Sequence, residues 1–128
     1  MSKVLLFVLR FLFAGCIVVL AALAWLPADA MRRTALGGHA EHLVAYLGTT
    51  IVMGLAVRKG PSLPVQCAIL GAWAAILEAG QVVAPGRHAC FEDLAFSCLG
   101  IAAGGVILWR GRPRHIYALI LRKSGGRC

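Results

Sequence analysis

Ionisable and hydrogen-bonding residues gather at three places in an otherwise apolar sequence. His39, Glu41, His42 and Tyr46 form the first group, and Glu78 and Gln81 the second. Arg87, His88, Glu92, Asp93 and Ser97 form the third. A carboxylate, an imidazole and a guanidinium held together can bind a phosphate or carboxylate, pass a proton, or carry out acid–base chemistry. Spacing sharpens the grouping. His42 and Tyr46 are four residues apart, as are Asp93 and Ser97, while Glu78 and Gln81 are three apart. Each pair therefore shares one face of a helix.

The elements that must carry these groups are membrane spans. Of the 128 residues 60% are apolar and only 14% charged, against about 25% charged in soluble domains. So small a chain cannot bury that much apolar surface within itself. Four apolar runs, at about 4–26, 41–57, 63–84 and 93–109, are bounded by turn or charge signals, and a run of about 20 residues crosses a bilayer core near 30 Å. The expected fold is an all-α bundle of four transmembrane helices in one domain. The fourth span reads as short. The first run is too long for the core of a signal peptide, although Ala28 and Ala30 sit as in an A-x-A cleavage site.

Charge sets the orientation. Lys3, Arg10, Arg58, Lys59 and six basic residues from Arg110 to Arg127 fall on one side of a four-span chain. Arg32, Arg33 and Arg87 fall on the other. The positive-inside rule then predicts cytoplasmic termini, with the first and third loops outside. The same distribution accounts for the net charge of +8 as topology and attraction to anionic lipid, and argues against nucleic-acid binding. Within the basic tail, 110–128, the apolar stretch 116–121 reads either as an interfacial helix or as a frayed tail.

This topology brings the three polar groups to the outer end of the spans. Lipid penalises them, so they are expected to face the bundle interior or a cavity. Glu78 lies seven residues before Pro85, roughly 10 Å below the loop. Arg87, His42 or a protonated neighbour are its candidate partners, and an ion pair that only clamps helices is the plain structural alternative. His39, Glu41 and His42 are metal-ligand types, but no metal or other cofactor is expected. The five cysteines have no CxxC or zinc spacing and read as free thiols. Gly100 and Gly104 form a GxxxG motif, a site for a helix–helix partner in this bundle or in another copy.

These residues resemble the VanZ-like family of small bacterial membrane proteins. The likeness covers about 38–104. It comprises His42 and Tyr46 opening one span, Glu78-x-x-Gln81 ending the next, the Pro85-Gly86-Arg87 turn, Asp93 six residues later, and Gly100. Two positions depart from the family pattern: His39 replaces a lysine, and Ser97 an asparagine. The resemblance implies a multi-pass protein of the bacterial cytoplasmic membrane whose site residues are His42, Tyr46, Glu78, Gln81, Arg87 and Asp93. The family name derives from low-level resistance to teicoplanin.

The leading expectation is a non-enzymatic protein that binds a lipid-linked or lipophilic amphiphile at the outer leaflet. Arg87 would meet an anionic head group there. The resemblance adds a link to glycopeptide tolerance or envelope assembly. The alternatives are an enzyme acting on an envelope lipid, with Glu78 or His42 as general base, and an accessory subunit of a larger membrane complex.

Overall fold

The computed structural model describes residues 3–27 and 37–111. Arg32, Arg33, the Ala28 and Ala30 pair, and the tail from residue 112, with His115, the 116–121 stretch and Cys128, lie outside them. The described chain is all helical: α1 (Lys3–Trp25), α2 (Gly38–Ala56), α3 (Leu63–Gly80) and α4 (Phe91–Gly111), with a short 3-10 turn, Gln81–Val83, continuing α3. Three segments are long and apolar enough to cross a membrane: α1, α3 with its 3-10 turn, and α4. Helix α2 is less apolar because His39, Glu41 and His42 open it.

Local chemistry explains the boundaries. Gly37, at φ 79°, turns the chain into α2 in a conformation that costs a glycine little. Pro64 stands in the first turn of α3, where its missing N–H costs nothing. After α3, residues 84–87 make a tight turn in which the Arg87 amide donates to the Ala84 carbonyl (3.1 Å) and Gly86 takes φ 71°. That is a type II turn, with proline and glycine at the positions it demands. Helix α4 is not short. It has 21 residues and starts at Phe91, because Glu92 and Asp93 favour the positive end of the helix dipole and draw the helix start upstream.

Packing centres on α2 and α4. A Cβ added to Gly100 would fall on the Leu43 carbonyl and the Leu47 amide, and one added to Gly104 would meet Thr50 and the Leu47 carbonyl. The GxxxG partner is thus α2 of the same chain. Position advances along both helices together, so α2 and α4 run parallel, with His39 and His42 opposite Asp93 and Ser97. Buried Tyr46, Met53, Leu70, Ala74 and Ile101 form the core, and Phe13, Ile17 and Leu20 of α1 pack against it. No residue of α1 is itself buried. Thr49 and Thr50, buried inside α2, satisfy their hydroxyls on the Ala45 and Tyr46 carbonyls one turn back. At the far end, Gln66 donates to the Val57 and Pro61 carbonyls and fixes the α2–α3 turn.

The α2–α4 contact predicts opposite effects for two glycines. Gly100→Ala should destabilise the protein: overpacking against immovable backbone costs about 1–3 kcal/mol, while helix propensity returns at most about 1 kcal/mol. A Cβ at Gly48 meets nothing, so Gly48→Ala should be neutral or stabilising. Reversible unfolding in mixed micelles measures both.

Candidate functional site

The end of α1, the start of α2, the end of α3 and the start of α4 meet at one end of the molecule. A cavity of about 90 Å³ opens there. Its apolar wall is Leu20, Leu23 and Ala24 of α1 with Ala45, Ala74 and Leu77; its polar wall is Glu41, His42, Tyr46, Glu78 and Gln81. Four of the six candidate site residues, His42, Tyr46, Glu78 and Gln81, therefore line one space. His42 and Tyr46 lie one above the other on α2 with nearly parallel rings, 6.5 Å between centroids.

Asp93 stands beside this space. One donor atom each from His42, Glu78 and Asp93 lies within 4.8 Å of the others. The Asp93 carboxylate faces two imidazoles: Oδ1 is 2.9 Å from His39 Nδ1, and Oδ2 is 3.8 Å from His42 Nε2. His39 also reaches Glu92 through Nε2, at 3.3 Å, and stacks on Phe96. His39 and Glu92 are largely exposed, so that pair is worth little.

Ser97 settles the orientation of His42. Its hydroxyl donates to the Asp93 main-chain carbonyl (2.8 Å), which uses its single proton. The 3.1 Å contact between Ser97 Oγ and His42 Nδ1 must then have the imidazole as donor. Nδ1 carries a proton, and in the neutral ring Nε2 presents a bare lone pair towards Asp93.

Glu78 is 7% exposed. Its partner is not Arg87. The Cys90 main-chain amide donates to Glu78 Oε1 at 2.6 Å, so the loop before α4 closes over the carboxylate. Arg87 points to α1 instead: Nε donates to the Leu26 carbonyl (3.1 Å) and a terminal nitrogen to the Leu23 carbonyl (2.9 Å). It caps the negative end of α1, where the last carbonyls lack helical partners. The guanidinium that was expected to meet a head group is engaged by backbone, and Arg87 does not line the cavity. His88 is exposed in the loop. Cys16, Cys67, Cys90 and Cys98 are free.

Two contributors carried no signal in the sequence. The Cys90 amide is backbone, and the α1 wall consists of ordinary leucine and alanine. Ser97 was part of the polar set, but its role in fixing the His42 tautomer needs the geometry. No family model, no curated protein and no solved structure matches this chain, so the likeness to VanZ-like proteins rests on the residues quoted for it.

The position of Arg87 yields a stability prediction. Arg87→Ala should cost about 1–2 kcal/mol, within the range for hydrogen bonds from a charged group and reduced for exposure. Arg87→Lys should recover only part, since a single ammonium replaces a fork that spans two carbonyls. Unfolding midpoints of the three proteins in one detergent decide it.

Proposed function

We propose that the chain is a four-span protein of the bacterial cytoplasmic membrane, VanZ-like, with both termini in the cytoplasm. Its cavity holds the polar end of a lipid-linked or lipophilic amphiphile at the outer leaflet. The observation that carries this reading is the two-sided cavity, in which polar residues of α2 and the end of α3 face apolar residues to which α1 contributes Leu20, Leu23 and Ala24. A volume of about 90 Å³ has room for roughly three waters, and whole-ligand pockets are several times larger. It therefore suits part of a head group, with the apolar tail running outward along α1 in the bilayer. Many side chains of α1, among them Val4, Phe7, Phe11 and Val18, are exposed, as a lipid-facing helix requires.

The polar wall favours one kind of head group. The carboxylates of Glu41 and Glu78 line the cavity, carboxylates are hydrogen-bond acceptors, and Arg87 is withdrawn to α1. A head rich in hydroxyl or amine donors suits these acceptors better than a bare anion. Glycopeptide tolerance or a role in envelope assembly would follow if the amphiphile belongs to cell-wall synthesis.

Filling the cavity from its apolar side tests the reading without touching the polar residues. The protein is placed in nanodiscs of phosphatidylethanolamine and phosphatidylglycerol to which envelope lipid extract is added. Native mass spectrometry should find an amphiphile retained by the wild type, and Ala24→Phe should reduce retention by about tenfold or more. Equal retention by the two proteins would rule the cavity out as the binding place.

A further inference from the structure

We propose that His42, Glu78 and Asp93 bind a divalent transition-metal cation, with an open coordination position towards the cavity. The first observation is the donor set. One imidazole and two carboxylates from three different helices bring a donor atom each within 4.8 Å of one another. Nitrogen and oxygen ligands about 2.1 Å from a metal lie about 3–3.5 Å apart. His42 Nε2 and Asp93 Oδ2 are already 3.8 Å apart. Small side-chain rotations, by about 1 Å, would close the set around an ion.

The second observation is the tautomer. Ser97 holds the Nδ1–H of His42, which leaves the Nε2 lone pair facing a carboxylate. No proton lies between them in the neutral ring, and 3.8 Å is too long for a hydrogen bond. Two lone-pair donors that face each other repel unless a cation sits between them. A ring nitrogen fixed by an outer hydrogen bond so that the other points at a metal is the usual arrangement of metal-binding histidines.

The third observation is charge. Glu78 is nine-tenths buried, and among the described residues it pairs with no lysine or arginine. The basic partners of Asp93 among them are His39 and His42. Two carboxylates in this setting need positive charge, and a divalent ion supplies both units. Imidazole as a ligand favours zinc, iron or nickel over magnesium and calcium. His42 and Glu78 share the cavity lining with Tyr46 and Gln81, so water or a ligand oxygen in the cavity would complete the shell.

This site does not depend on amphiphile binding. Ala24→Phe leaves the three donors in place, so the two ideas fail separately. The test uses the full chain without a polyhistidine tag, stripped with chelator, then dialysed against zinc or cobalt(II) at neutral pH. Elemental analysis should find about one zinc per chain, and cobalt should give ligand-field absorption of a low-symmetry site. Asp93→Asn and Ser97→Ala should each weaken zinc binding by about tenfold to a hundredfold, the latter through loss of the outer hydrogen bond. His88→Ala, in the exposed loop, should bind as the wild type does. Should Asp93→Asn fail to fold, a zinc-dependent rise in the wild-type melting temperature that Ser97→Ala diminishes supports the site equally. The proposal is overturned if the wild type takes up no zinc, or if zinc uptake survives both Asp93→Asn and Ser97→Ala unchanged. Loss of uptake in His88→Ala overturns it too.

Discussion

Gly100 and Gly104 let the backbone of α4 lie against that of α2, and at Gly100 the space a side chain would need is held by the Leu43 carbonyl. Everything at the site end follows from that approach. It fixes the register in which His39 and His42 stand opposite Asp93 and Ser97. It also makes the pairing parallel, so the starts of α2 and α4 lie together and the end of α3 returns to them. Where apolar helices have lipid on the other side, burial of side chains gives little preference for one partner over another. Close backbone approach and interhelical hydrogen bonds decide the arrangement instead.

The polar residues follow the same economy. Thr49 and Thr50 face inward and return their hydroxyls to their own helix. Gln66 closes the far turn on backbone carbonyls. Arg87 is spent on the end of α1. Each of these hydroxyl and N–H donors finds a backbone carbonyl close by. The His42, Glu78 and Asp93 groups differ: Glu78 takes one backbone amide, from Cys90, yet one donor atom from each of the three side chains lies within 4.8 Å of the others. A cluster of that kind costs stability unless something positive occupies it. Polar groups that a membrane setting makes expensive are where function is to be sought.

Much of this is legible in the sequence alone. Helix starts and ends could be read from Pro27, the Arg58 to Pro61 turn and the Pro85-Gly86 turn. The alternation of direction then put His42, Glu78 and Asp93 at one end, and helical spacing put each pair on one face. What could not be read has physical reasons. Arg87 bonds to carbonyls, and every helix end offers carbonyls, so no residue pattern distinguishes that partner from a carboxylate. The GxxxG motif states that a backbone comes close without saying whose. The wall from α1 is made of leucine and alanine, which would look the same facing lipid. The start of α4 moved upstream of Asp93 because acidic residues belong inside a first helical turn as readily as before it.

The account stands on the meeting of α2 and α4 at His42 and Asp93, and cross-linking tests it most directly. With the five native cysteines replaced, His42→Cys and Asp93→Cys are introduced together and treated in membranes with a thiol reagent of short reach. The account predicts rapid cross-linking within one chain that needs both cysteines. Pairing of residue 42 with a position near the far end of α4, such as 108, in preference to 93 would contradict it.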